Sequence, residues 1–188
     1  MTTANKVTLI RMAMIPFFIY CALQGTIAMD IAAMTLFIVA SCTDFIDGYI
    51  ARHYNQITDF GKFVDPLADK LLVCAALVIF VQRGQMSSVM VFIILAREFI
   101  ITSLRTVAMG KGRVMAAAWS GKVKTTIQIV GVVVLFLVAI FEAKNVEMPW
   151  ETINSVTAWA MTLVTLYSGY DYMKRNWDIV AEGATSKK

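Results

Sequence analysis

Residues 43–70 read TDFIDGYIARHYNQITDFGKFVDPLADK, and the rest of the chain is arranged around them. The stretch carries two pairs of carboxylates, Asp44 with Asp47 and Asp65 with Asp69. Side chains three or four residues apart lie on one face of a helix, so each pair projects together and two such faces form one anionic cup. Each pair sits at the end of a long apolar segment, where an unpaired charge in hydrocarbon costs roughly 3 kcal/mol or more. Something must therefore compensate four carboxylates. Oxygen-only donors of this charge suit two hard divalent cations, Mg²⁺ or Mn²⁺, rather than thiolate-seeking metals. Gly48 and Gly61 remove a side chain beside each pair, which admits a ligand or a neighbouring backbone.

The flanking sequence is apolar. Of 188 residues, 59% are hydrophobic and only 16% charged, where soluble proteins average about 25% charged. That composition argues against an ordinary soluble domain and predicts an all-α integral membrane protein. No linker, low-complexity run or short repeat divides residues 1–188, so a single domain is expected. Cys21, Cys42 and Cys74 fall in apolar segments without C-x-x-C spacing, which points to packing rather than to a disulfide frame or a zinc site. His53 stands alone beside Arg52 and is given no role. No nucleic-acid partner is expected.

A helix needs about 20 residues to cross the hydrocarbon. Six segments qualify: about Thr8 to Gln24, Thr26 to Arg52, Asp65 to Gln82, Met86 to Met109, Lys122 to Phe141 and Thr152 to Met173. The first is read as a retained anchor rather than a cleaved signal, because its apolar run is long and five more spans follow. Spans two to four carry Asp44, Asp47, Asp65, Asp69, Arg97 and Glu98, whereas one, five and six read as uncharged through their cores. Intramembrane charges face a bundle interior or a wet cavity, so the site is expected from the middle of the chain. Pro66 after Asp65 leaves two readings open: Asp65 as a helix N-cap, or a helix that begins near Gly61 and contains Pro66.

Orientation follows from the basic residues near the span ends. Lys6, Arg11, Arg52, Lys62, Arg105, Lys111, Arg113, Lys122, Lys124, Lys174, Arg175, Lys187 and Lys188 fall on one side, Arg83 and Lys144 on the other. The positive-inside rule then puts both termini and the carboxylate cup in the cytoplasm.

Other polar groups recur at helical spacing. Asn5, Thr8 and Arg11 precede the first apolar run, a pattern that also describes a juxtamembrane helix with a snorkelling arginine. On span four, Glu98, Thr102 and Arg105 fall at i, i+4 and i+7, with Arg97 one residue round the helix. A structural Glu98–Arg105 network between spans is the plain alternative to a binding role. Lys111 and Arg113 read as loop cations drawn to anionic lipid.

Asp44-x-x-Asp47-Gly48-x-x-Ala51-Arg52 followed by Gly61-x-x-x-Asp65-x-x-x-Asp69 resembles the signature of the CDP-alcohol phosphatidyltransferases, with no position missing. Arg97-Glu98-Phe99, Ser103-Leu104-Arg105 and Gly121-Lys122-Val123-Lys124-Thr125 resemble one branch of that family, the bacterial phosphatidylglycerophosphate synthases. The resemblance implies transfer of the phosphatidyl group from CDP-diacylglycerol to sn-glycerol 3-phosphate, in a homodimer among membrane lipids. It implies metal binding by Asp44, Asp47, Asp65 and Asp69, with Asp69 also the catalytic base, and nucleotide contacts from Asn5, Thr8, Arg11, Gly48, Ala51, Arg52 and Gly61. An acceptor that is itself a phosphate needs further cations, which Arg97, Arg105, Lys122 and Lys124 can supply.

Two other classes fit the carboxylates less well. Intramembrane prenyltransferases also hold a pyrophosphate with Asp-rich helices and Mg²⁺, but with longer Asp clusters and more spans. A divalent-cation transporter would show half-chain repeats and midplane sites, whereas these acids gather at one interface.

Overall fold

The computed structural model describes the backbone of residues 3–53, 59–110, 115, 118–178 and 181. Side chains are described for 8–43, 67, 68, 70–110, 115, 118–178 and 181. Among these residues the chain is six helices: α1 Thr3–Leu23, α2 Ile27–His53, α3 Asp59–Gln82, α4 Ser88–Gly110, α5 Trp119–Ala143 and α6 Trp150–Arg175. Short connections at Gly25 and Gly84, both with positive φ, reverse the chain where other residues are strained. The helices therefore run alternately up and down. One end of the bundle gathers the N-termini of α1, α3 and α5 with the C-termini of α2, α4 and α6, and both carboxylate pairs belong to that end.

Side-chain pairs fix the register. Against α5, α6 runs antiparallel: Ser120 meets Asp171, Gln128 meets Thr165, and Gly131 faces Met161. A Cβ on Gly131 would come within 2.4 Å of the Met161 sulfur, so the glycine is what lets these two helices touch. Against α4, α6 runs parallel, with Arg97 on Ser168 and Arg105 on Tyr172. The core lies toward the other end of the bundle, where Phe18, Phe37, Phe80 and Phe136 join α1, α2, α3 and α5. Their ring centroids stand 5.0–6.0 Å apart, two of the three pairs edge-on, the arrangement aromatic quadrupoles favour. The outward faces are apolar too: Phe17, Val78, Phe92, Val130, Val156 and Leu163 are all exposed. Water rarely tolerates so continuous an apolar surface.

By length and apolarity alone one described helix, Trp119–Ala143, qualifies to cross a membrane, with a mean hydropathy of 2.4 over its best window. Shorter apolar stretches are Thr8–Leu23, Ile27–Thr43 and Lys70–Gln82. For α4 the reason is compositional. Any 18-residue window of Ser88–Gly110 contains Arg97, Glu98 and Arg105.

The helices decide one open reading and correct two expectations. Asp65 and Pro66 lie inside α3, which begins at Asp59, so Asp65 is not a helix cap. Spans one and five are not uncharged inside, since Arg11 and Lys124 are 2% and 6% exposed. Asp30, absent from the intramembrane charges read in span two, is buried near the start of α2 and paired with Arg83, whose guanidinium also donates to the Ala22 carbonyl. Arg83 stacks over Phe136 as well, 5.6 Å from the ring centroid. One side chain thus ties the C-terminus of α1, the start of α2 and the turn after α3 to the aromatic core.

Removing one partner of such a pair strands a charge, at a cost of about 3–5 kcal/mol. Arg83→Ala should therefore destabilise the protein in detergent by about that much, and Arg83→Ala with Asp30→Ala by clearly less, as read from denaturant unfolding. Equal losses in the single and double variants would remove the clamp.

Candidate active site

Two sets of candidate residues belong to the polar end of the bundle. The signature set is carried by α2 and α3. Asp44, Asp47, Gly48, Ala51 and Arg52 all fall within the helix Ile27–His53, and Gly61, Asp65 and Asp69 within Asp59–Gln82. The i, i+3 and i, i+4 spacings are thus helical spacings. The side chains of these eight residues, like that of Asn5, lie outside the described ones, as do Lys111 and Arg113. Among the described residues no cluster of three metal-ligating groups occurs. As a donor set, four carboxylates and no sulfur or imidazole fit Mg²⁺ or Mn²⁺.

Arg11 belongs to the same neighbourhood. It lines a small pocket with Ala40 and Ser41 of α2, Leu72 and Val73 of α3, and Thr125 and Gln128 of α5. Ser41 stands one helical turn before Asp44, and Leu72 one turn after Asp69. Arg11 therefore occupies the junction of four helices, one turn beneath both acidic pairs, with Thr8 buried one turn away on its own helix. A buried position overturns the snorkelling reading.

The second set is held by α4, α5 and α6. Lys124 Nζ donates to Glu98 Oε1 at 2.7 Å, and Arg97 Nη1 reaches the same oxygen at 3.1 Å. Arg97 Nη2 donates to Ser168 Oγ at 2.7 Å. Glu98 thus joins Lys124 and Arg97, while Arg105, the expected partner in a structural pair, turns to α6 and donates from Nε to the Tyr172 hydroxyl at 2.8 Å. Lys122 is exposed in the first turn of α5. Thr102 returns its hydroxyl to the Glu98 backbone carbonyl.

A cleft lies between α3, α4 and α5. Its walls are Leu67, Lys70 and Cys74 of α3, Ile94, Glu98 and Phe99 of α4, and Lys124, Thr125 and Gln128 of α5. It is apolar along most of its length and polar where Lys70, Glu98 and Lys124 converge. Lys70 directly follows Asp69 on α3, so one wall of this cleft is the helix that carries the second acidic pair.

Sequence reasoning missed the contribution of α6. Thr165, Ser168 and Tyr172 are buried on one stripe and engage Gln128, Arg97 and Arg105. Asp171 accepts from Ser120 at 2.5 Å and from Arg175 at 2.7 Å. The i, i+3, i+7 spacing of the hydroxyls was the available signal.

Comparison with known proteins agrees with this geometry. Residues 1–167 match the CDP-alcohol phosphatidyltransferase family. A CDP-diacylglycerol–glycerol-3-phosphate 3-phosphatidyltransferase of Bacillus subtilis is 40% identical, over 93% of this chain and 94% of its own. One of the same name from Rickettsia bellii is 34% identical, over 90% and 92%. A probable phosphatidylglycerophosphate synthase of Mycobacterium tuberculosis is 35% identical, over 92% and 80%. With the signature intact on two helices and the match spanning both sets of residues, the chain belongs to the CDP-alcohol phosphatidyltransferase family.

Proposed function

We propose that this chain transfers the phosphatidyl group of CDP-diacylglycerol to sn-glycerol 3-phosphate, forming phosphatidylglycerophosphate and CMP. The observation that carries the reading is the shared cleft: Lys70, next to Asp69, lines it together with Glu98 and Lys124. Cations suited to a phosphate-bearing acceptor thus lie across one opening from the helix that carries Asp65 and Asp69. The names of the relatives point to the same acceptor.

In this reaction a free hydroxyl of glycerol 3-phosphate attacks the phosphatidyl phosphorus, and the bond from that phosphorus to the CMP oxygen breaks. CMP leaves with the electron pair. Asp69 takes the hydroxyl proton as general base. Asp44, Asp47 and Asp65, with Asp69, would hold the divalent ions, two in number. Such ions supply charge neutralisation at the pyrophosphate when bound. Asn5, Thr8, Arg11, Gly48, Ala51, Arg52 and Gly61 surround the nucleotide. Arg105 and Lys122 meet the acceptor phosphate, with Arg97 and Lys124 fixed behind them by Glu98.

The setting follows from the substrate. The six helices cross the bilayer with both termini and the acidic end in the cytoplasm, and two copies pair as a homodimer. A donor that is a lipid can keep its acyl chains among the spans while its pyrophosphate meets the polar end. Restricted water there limits hydrolysis of the activated lipid.

Purified protein offered glycerol 3-phosphate, serine, inositol phosphate and phosphatidylglycerol should release CMP with the first alone; preference for another acceptor would sink the assignment. Thorough chelation should abolish turnover and Mg²⁺ or Mn²⁺ restore it. Asp47→Asn should lose metal binding and turnover together, whereas Asp69→Asn should lose turnover but retain much of its metal affinity; equal metal loss in both removes Asp69 as chiefly the base. A charge-assisted contact to phosphate is worth about 1.5–3 kcal/mol, or roughly 10- to 150-fold in affinity. Arg105→Ala and Lys122→Ala should accordingly raise KM for glycerol 3-phosphate by about that factor without moving KM for CDP-diacylglycerol, and Arg52→Ala should do the reverse. Loss of donor affinity in the Arg105 or Lys122 variants would relocate the acceptor pocket.

A further inference from the structure

We infer that Tyr172, with Ser168 and Gly169 on the same helix, positions the α4 arginines and thereby sets affinity for the acceptor phosphate; this rests on the reading of Arg105 as a phosphate contact. Three observations on α6 converge. Tyr172 is 1% exposed, its hydroxyl accepts from Arg105 Nε at 2.8 Å, and its ring lies 5.2 Å from the guanidinium carbon. Ser168, fully buried, accepts from Arg97 Nη2 at 2.7 Å. A Cβ on Gly169 would stand 3.0 Å from Arg97 Cγ, so the missing side chain is the bed on which the Arg97 stem lies.

The chemistry of the Arg105 contact suits this role. Binding through Nε consumes none of the Nη–H donors, and the guanidinium keeps a two-donor edge for a phosphate. An arginine at the rim of a helix otherwise spreads over many rotamers, whose entropy is lost on capturing a ligand. The Tyr172 ring and hydroxyl confine Arg105 before the acceptor arrives, and confinement in advance raises affinity.

Tyr172→Phe keeps the ring and deletes only the hydroxyl. One hydrogen bond corresponds to about two- to tenfold in affinity, so KM for glycerol 3-phosphate should rise by about that factor, with kcat, KM for CDP-diacylglycerol and Tm nearly unchanged. In an Arg105→Ala background the same substitution should add nothing further. Gly169→Ala, which presses on Arg97, should raise the same KM selectively and gives an independent reading. If both KM values rise together as Tm falls, α6 is merely structural and the inference is overturned. If Arg105→Ala raises acceptor KM while Tyr172→Phe does not, positioning by Tyr172 is wrong and the acceptor pocket stands. If Arg105→Ala itself binds glycerol 3-phosphate normally, the pocket and the inference fall together.

Discussion

Glu98 lies 2.7 Å from the Lys124 ammonium and 3.1 Å from an Arg97 nitrogen, and the polar end of the bundle is organised by that three-way contact. Taking an ion out of water costs several kcal/mol, which an opposite charge repays only in good geometry with further hydrogen bonds. Lys124 is buried, and its long side chain bridges α5 to Glu98 on α4. Arg97 then carries the connection to Ser168 and brings in α6. Asp30 and Arg83 do the same at the opposite end, holding α1, α2 and α3 together. Between these two charged layers the contacts are mostly aromatic and aliphatic, with the buried Gln128–Thr165 hydrogen bond among them.

The two layers differ in their remaining charge. The Asp30–Arg83 pair is neutral, and it is tied to a backbone carbonyl and an aromatic face. The Glu98 cluster carries one more cation than anion, and Arg105 of α4 and Lys122 of α5 belong to the same end of the bundle. Opposite them, on the proposed reading, are four aspartates on α2 and α3. Positive groups on one side of a cleft and negative groups on the other are what a donor pyrophosphate with its metal ions, and a separate phosphate-bearing acceptor, require of their surroundings. Neither ligand on its own would call for both.

The helices were legible because their apolar runs are long, and the acidic pairs because aspartate near hydrocarbon admits few explanations. Asp30 was passed over because its partner lies 53 residues along the chain, and no local pattern joins them. Local propensity alone left Asp65 open as a helix cap, and the alternative, a helix that begins earlier and contains Pro66, is the one found: α3 starts at Asp59. Glu98 was seen as one arm of a polar stripe, but its partners are Lys124 on α5 and the adjacent Arg97, and Arg105, seven residues on along the same face, turns to Tyr172 instead. The hydroxyls of α6 were hardest to read. A buried serine or threonine can satisfy itself on the carbonyl one turn back, as Thr162 does on Ala158, so sequence alone does not tell a self-satisfied hydroxyl from one that holds an arginine.

That ambiguity bears on how the site divides its labour. The signature residues sit on α2 and α3, with Arg11 of α1 beneath them, and that half is assigned to the nucleotide and the metals. The groups assigned to the acceptor are presented by α4 and α5 and braced by α6. Among the described residues the halves meet along the cleft where Lys70 lies with Glu98 and Lys124, and again at the pocket that Arg11 shares with Thr125 and Gln128 of α5. An acceptor pocket built in this way can change its charge or shape through α4 and α6 without disturbing the acidic helices, because the braces run from α6 to α4 and not to α2 or α3. On the proposed reading, affinity for the acceptor then depends on the charges that touch its phosphate and also on the hydroxyls and the glycine of α6 that hold those charges in place.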